Sequence, residues 1–499
     1  MTKPLQGCTG RQLRIDLSRM ETSVEDVAPD SFRDYVGGVG YAARLLYDEL
    51  GAGIDALGPS NKMVLATGPL SLNQVPGGGS IMLCFKSPLT GGWGESRCGS
   101  DFGPDLKRAG FDHVIIEGRA TKPVYVILND GEIAFRSGER LLGKSITEKT
   151  QLVEQELPNG RFSFMCIGPA GENLVRFATA MVGDRAAGRG GAGAVLGSKN
   201  LLGIAVGGAH VVEAAHPDWF QTVLRKTFRD IRQDPASSGF REFGTVGDLG
   251  GNDEAGDWPT KNWQANAWGK GAELYDRFER NNLIRSFGCY RGCAMACGRL
   301  VHVKDGPFET PEHGGAEYES ISCFTAYVLN DDMDAAVHST YLCNEYGLDT
   351  ISTGAAIAFA MECYEKDLLS DAQVGDLDLS WGNAHVLPVL VKQIALREGV
   401  GDLLADGVRV AADAIGPEAE ALAIHAKGLE GPAHDPRSGK ALAVTYATAN
   451  RGMCHIHPVE AMAWDLGKMD FGLQEYGLAD PGRIERWDEA GKGHMTKLL

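Results

Sequence analysis

No run of about 18 apolar residues occurs in the 499-residue chain, so no membrane-spanning helix is expected. The opening Met-Thr-Lys-Pro-Leu-Gln lacks the apolar stretch of a secretory leader. Positive charge is also scarce: 48 Lys and Arg stand against 66 Asp and Glu, for a net charge of −18. Nucleic acid and anionic membrane surfaces both need a basic face to neutralise phosphates, so neither is expected as a partner. The 11 cysteines form no regular framework, which suits a reducing compartment, and the cytoplasm is the expected location. No internal repeat or low-complexity segment stands out. With 43% hydrophobic residues, a chain of this length can bury two or three cores and is expected to form several domains.

Glycine is abundant instead, with 66 residues concentrated in roughly the first 210 positions, where bare backbone can approach a large ligand. That region reads as β-rich. Leu13 to Leu17 and Thr22 to Val24 alternate as a hairpin, Met63 to Thr67 and Ile81 to Phe85 are strands, and Tyr41 to Leu50 is a short amphipathic helix. Further strands are expected at 111–118, 124–128, 132–136, 162–167 and 202–206, with Asn129-Asp-Gly131 as a hairpin turn. Two segments read as glycine-rich loops, Gly91 to Gly103 and Asp184 to Asn200. Both combine bare amides with arginine, the chemistry that cradles phosphate. Tight sheet turns are the alternative use of these glycines. Gly188, Gly190 and Gly193 have GxGxxG spacing, but a dinucleotide fingerprint needs a βαβ unit, and Gly197-Ser198-Lys199 breaks the Walker pattern.

After about residue 210 the pattern turns helical, with apolar residues at helical spacing over 217–234, 338–346, 355–369, 384–398 and 403–415. Asp331-Asp-Met-Asp reads as a helix cap. Within this region lies Cys289-Tyr-Arg-Gly-Cys293-Ala-Met-Ala-Cys297. In a helix the outer thiols would stand about 12 Å apart, too far for one compact centre. Gly288, Gly292 and Gly298 let the backbone bend, so a glycine-hinged loop around a metal centre is expected. With no second CxxC and no His pair at zinc-ligand spacing nearby, an iron–sulfur cluster fits better than structural zinc; ordinary buried or redox-active thiols are the third alternative.

The segments Phe102 to Asp112, Asp184 to Asn200, Gly347 to Ser352, Lys427 to Glu430 and Ala449 to Gly452, in this order along the chain, resemble the aldehyde:ferredoxin oxidoreductase family. The resemblance implies an α+β fold with an N-terminal β-sheet saddle domain followed by mainly helical domains. The expected units are residues 1–210, which bind the pterins, 211–415, which carry the cysteines, and 416–499, a partial C-terminal helical domain. The cofactors implied are a tungsten (or molybdenum) bis-molybdopterin and a [4Fe–4S] cluster on Cys289, Cys293 and Cys297. Arg97, Arg185, Ala186, Gly188 and Asp349 are implied as cofactor-binding residues, and Glu319 and His455 as catalytic ones. Glu319 would take a proton from water while His455 donates a hydrogen bond to an aldehyde carbonyl oxygen. A small aldehyde and ferredoxin, or an iron–sulfur electron-transfer subunit, are the implied partners, and a homodimer the implied assembly.

The chain also departs from the family pattern. Its cysteine spacing is three and three where two and three is usual. Arg97 stands where Asn is common, Cys454 where an acidic residue is expected, and His338-Ser-Thr-Tyr341 replaces a subunit-bridging Glu-x-x-His pair, so that metal site is not expected. Family members continue beyond the position of Leu499 with an Asp-x-x-Gly-Leu-Cys motif that supplies a pterin contact and a fourth cluster cysteine. Truncation, a second polypeptide or a cluster completed differently are the three expectations. Two further functions are carried: reduction of aromatic acyl-CoA thioesters, as in another branch of the family, and a cofactor-free, non-catalytic member.

Overall fold

The computed structural model describes residues 6–71, 75–157, 160–457, 463–465 and 485–498. Residues 466–484 of the expected C-terminal unit thus lie outside the described residues. Two six-stranded sheets come first. One holds β1 (Arg11–Asp16), β2 (Glu21–Asp26), β3 (Met63–Ala66), β4 (Ser80–Lys86), β5 (Trp93–Gly99) and β6 (His113–Glu117) in the order β2-β1-β6-β3-β4-β5. The other holds β7 (Val124–Asn129), β8 (Glu132–Ser137), β9 (Phe162–Ile167), β10 (Ala180–Val182), β11 (Arg185–Ala187) and β12 (Leu201–Gly207) in the order β11-β10-β9-β12-β7-β8. Each contains a single parallel pair, β1 with β6 and β7 with β12. Leu13, Ile15, Phe85 and Val114 of the first share one buried cluster with Tyr125, Phe164, Ile204 and Val206 of the second. Edge strands β5 and β11 lie against each other, and the Cys98 thiol donates to the Arg185 carbonyl across the seam at 3.4 Å.

Both expected loops contain regular structure. Trp93 to Gly99 is strand β5, paired with β4 in the register Met82 to Arg97. Glycine at 94 serves packing there, since a Cβ would lie 2.7 Å from the Phe85 ring. In the second segment β11 is followed by the helix Ala192–Ser198. Its glycines let the helix press onto neighbouring backbone: a Cβ on Gly193 would lie 2.3 Å from the Thr179 carbonyl oxygen, and one on Gly197 1.9 Å from that of Gly171. The helix expected over 403–415 is two helices, Val400–Leu404 and Val408–Ile415, because Gly407 adopts φ +86° between them.

The remaining chain is mainly helical, around a core that includes Trp258, Phe278, Phe324, Tyr327 and Phe359 and reaches Val175 and Phe177 of the sheet region. Its central helix, Thr350–Glu365, is buried on all sides from Ile351 to Cys363 and capped by Asp349, whose carboxylate accepts from the Ile351 amide. Asp332 caps the helix Met333–Tyr346 through the amides of Asp334 and Ala335. A small antiparallel sheet, β13 (Leu283–Phe287), β14 (Gly298–Val303) and β15 (Thr310–Gly314), packs against the helix Met333–Tyr346 and contributes Val301 and Val303 to this core.

Candidate active site

The three cysteines occupy the connection between β13 and β14, closed at its base by the pair Phe287 and Gly298. The segment is not helical; Gly292 and Ala296 turn it with φ of +86° and +47°. All three thiols are half-buried. The neighbouring Cys289 and Cys293 thiols act on each other most strongly, and this pairing raises the Cys289 thiol and lowers that of Cys293. This hairpin is docked on the first sheet. A Cβ on Gly99 would lie 3.3 Å from Cys289 Sγ, the Arg291 amide donates to Asp101 at 3.1 Å, and the Tyr290 hydroxyl donates to the Val75 carbonyl at 2.5 Å.

Arg185, on edge strand β11, stands between the thiols and a cavity. Burial disfavours its charge, but Glu317 at 3.1 Å and the nearby Cys289 and Cys297 more than offset this and hold the guanidinium protonated. The cavity, of about 180 Å³, is lined by Arg185, Ala186, Gly188, Glu317, Asn344 and Asp349 among others. Four of the five cofactor-binding residues named from the sequence therefore converge on one recess. Arg97 is not in its lining; it stands exposed on β5.

Buried Arg189 continues the glycine segment inward. Its guanidinium faces Asp349 at 3.4 Å and donates to the carbonyls of Met453, at 2.9 Å, and Glu430. It ties the cavity wall to the chain that carries His455. Glu317 and Glu319 flank the start of the helix Tyr318–Phe324; Glu317 faces Arg185, while Glu319 enters a second recess. There Glu319 Oε2 accepts from the Ala433 amide at 2.7 Å, and Oε1 lies 3.3 Å from His455 Nε2 and 3.6 Å from His434 Nε2. Among the described residues, no hydrogen-bond partner meets Glu319 Oε1 or His455 Nδ1. Burial raises the Glu319 carboxyl above the usual range and pushes the His455 imidazole well below its own. The site thus pairs a carboxylate of raised basicity with an imidazole kept neutral.

Two groups here were not named from the sequence. His434 Nδ1 lies 2.7 Å from the carboxylate of buried Asp257. No local pattern signals the pair, since the two residues are 177 positions apart. The structure also shows what Cys454 does in place of an acidic residue. Its sulfur accepts from Arg451 Nε and Nη2 at 3.1 and 2.9 Å, as a carboxylate would.

Two family models together match most of the chain. Residues 12–208 match the N-terminal domain of aldehyde ferredoxin oxidoreductase, and residues 222–498 match its domains 2 and 3. The chain belongs to the aldehyde ferredoxin oxidoreductase family. A tungsten-containing aldehyde ferredoxin oxidoreductase of Pyrococcus furiosus is 39% identical over 91% of this chain and 74% of its own length. The corresponding Thermococcus kodakarensis protein is 38% identical over the same shares. The WOR-like subunit of an aliphatic sulfonate oxidoreductase from Pyrococcus furiosus is 31% identical over 86% of this chain and 71% of its own. Among solved structures, the active site complex of benzoyl coenzyme A reductase with 1,5-dienoyl-CoA superposes with a TM-score of 0.80 at 25% identity, covering 89% of this chain and 69% of that one. The family is thus one of oxidoreductases with more than one named substrate class, and no described helix of this member is long and apolar enough to cross a membrane.

Proposed function

We propose that this chain oxidises aldehydes to carboxylic acids with a tungsten (or molybdenum) bis-molybdopterin and passes the electrons through a [4Fe–4S] cluster to ferredoxin. The observation that carries this reading is the convergence of Arg185, Ala186, Gly188 and Asp349 on one cavity, with Arg189 and Asp349 linking its wall to the Glu319 and His455 recess.

The residues fit the proposed groups. Gly188 faces open space, since a Cβ built on it meets nothing closer than 4.0 Å, and Arg185 beside it supplies a cation for a phosphate-bearing ligand. Among the described residues, the one set of three metal-binding side chains with ligand atoms within 4.8 Å of one another is Glu319, His434 and His455. At least one pair of the three cysteine sulfurs therefore lies more than 4.8 Å apart, beyond the ~3.8 Å that tetrahedral zinc requires, as suits a cluster of several irons. When bound, the metal–pterin would supply the two-electron acceptor and the cluster the one-electron exit. Glu319, basic because it is buried, removes a proton from the water that reaches the carbonyl carbon. His455, neutral because it is buried, offers its ring N–H to the carbonyl oxygen as charge develops there. Arg185 keeps a positive charge between the cavity and the thiols.

The benzoyl coenzyme A reductase neighbour supports a second reading, reduction of an aromatic acyl-CoA thioester on the same scaffold. The test uses protein purified without oxygen, assayed for tungsten, molybdenum and iron and then offered aldehydes with ferredoxin or a viologen dye, and separately aromatic acyl-CoA thioesters with a reductant. Aldehyde-dependent dye reduction by metal-loaded protein supports the first reading. Turnover confined to the thioesters supports the second, and absence of tungsten, molybdenum and iron from folded protein overturns each.

A further inference from the structure

Behind Glu319 lies a buried pair that the proposed chemistry does not yet use. Asp257 is fully buried, and each of its oxygens is engaged: Oδ1 accepts from the Asp435 amide at 2.8 Å and the Ser438 hydroxyl at 2.9 Å, while Oδ2 faces His434 Nδ1 at 2.7 Å. A carboxylate accepting on both oxygens places the hydrogen on Nδ1 and makes Nε2 the acceptor nitrogen of His434. The ring is held in that orientation. Tyr318 stacks on it with centroids 4.9 Å apart, and the Tyr446 hydroxyl donates to the His434 carbonyl at 2.7 Å.

Nε2 then faces Glu319 Oε1 at 3.6 Å, while Oε2 of the same carboxylate is taken by the Ala433 amide. An acceptor nitrogen and a carboxylate oxygen opposed beyond hydrogen-bond length form a hydrogen bond only when a proton enters between them. We infer that His434, oriented by Asp257, receives the proton that Glu319 takes up during turnover. The step is a proton transfer alone: the O–H bond of water breaks, its proton moves to Glu319 Oε1 and then to His434 Nε2, and Asp257 stabilises the imidazolium formed. His434 acts through Glu319 and is a positioning residue.

The groups around the trio favour this direction of transfer. On the far side of Glu319, the Arg189 cation and the Asp349 and Glu430 carboxylates face one another. Burial first, and then His434, Arg189, Arg451 and His457, disfavour charge on His455. The phenols of Tyr318 and Tyr446 are raised by burial and take no part in proton exchange. Among the described residues, Asp257 and the adjoining Asp435 are acidic groups on the His434 side.

The inference rests on the reading of Glu319 as the base, and the test separates the two. In the holoenzyme, pH-difference infrared spectroscopy follows the protonated carboxyl of Glu319, identified by its disappearance in Glu319→Gln. In His434→Gln, which fills the site without holding a proton, that signal persists to higher pH than in the parent. The same variant loses about a hundredfold in kcat with little change in KM, its acid limb moves up in pH, and its metal content is unchanged. Asp257→Asn, which reverses the tautomer and turns an Nε2 hydrogen toward Glu319, also lowers kcat, but its carboxyl signal ends at lower pH than in the parent. An unchanged Glu319 titration in His434→Gln overturns the inference. So does a divalent cation, bound in addition to the tungsten and iron, that is lost with His434→Ala. If the parent enzyme oxidises no aldehyde, the functional reading fails while the infrared titration still decides the proton path.

Discussion

Replacing Gly79 by alanine tests whether the cysteine hairpin depends on the first sheet for its position. Gly79 is buried just before β4, and its carbonyl accepts from the Ser100 amide at 2.9 Å. A Cβ on it would lie 2.2 and 2.3 Å from Cγ and Cδ1 of the Tyr290 ring. Ordinary carbon contacts lie at about 3.5–4.0 Å, so the ring must retreat by more than ~1 Å. Tyr290 follows Cys289 directly and precedes Cys293 by three positions, and its hydroxyl bond to Val75 resists the retreat. Overpacking of this kind costs about 1–3 kcal/mol, and loss of the hydroxyl bond about 1 kcal/mol more. The strain falls on the thiol spacing rather than on the sheet, because the hairpin is a single irregular connection while β4 is paired on both sides. The expected result is a folded protein with reduced iron content and a cluster that is lost faster on air exposure, measured by iron analysis and by electron paramagnetic resonance of the reduced protein. Gly77→Ala, where a Cβ meets nothing within 4 Å though φ is +78°, controls for backbone strain alone. Full iron content and unchanged cluster lifetime in Gly79→Ala would refute the docking argument.

Glu319→Gln keeps an acceptor for the Ala433 amide and is expected to lower kcat by about 10²–10⁴, measured on protein of matched metal content. In the parent, activity is lost on the acid side at a pH above the usual carboxylate range, because the base must be ionised and burial raises its pKa. For stability the sign is opposite. A carboxyl raised on folding contributes fully below its unfolded pKa, and that contribution is lost as pH rises through the folded value, so Glu319→Gln gains stability over the parent toward neutral pH in denaturant unfolding. Arg189→Met removes the cation beside buried Asp349 and one donor from each of two carbonyls, and is expected to destabilise by about 3–5 kcal/mol, read from the urea midpoint. Arg185→Ala removes the cation beside Cys289 and Cys297 and is expected to lower the reduction potential of the iron centre in a redox titration.

Much of the strand and helix order was legible because it rests on local periodicity. Leu13 and Ile15 alternate inward on β1, and the Asn129-Asp-Gly131 turn joins β7 and β8 as expected. Legibility ended where glycine is chosen for what lies across from it. Gly94 and Gly193 look like loop residues in sequence, yet one makes room for the Phe85 ring and the other for the Thr179 carbonyl, neither of which is a near neighbour in the chain. The cysteine run was readable as a bent loop because its own glycines allow the bend; its docking on Gly99 and beneath Gly79 was not.

By themselves, the residues determine the chemistry on offer: three clustered thiols, glycine segments carrying Arg185 and Arg189, and a resemblance to one oxidoreductase family that names Glu319 and His455. Tertiary structure alone decides which of those groups meet. It brings Asp257, His434, Glu319 and His455 from four separate stretches into one recess, and it separates Arg97 from the cavity that Arg185 lines. The physical reason is that basicity, tautomer and ion pairing depend on burial and on partners within a few ångströms, and those are set by packing between distant segments rather than by the order of residues along the chain.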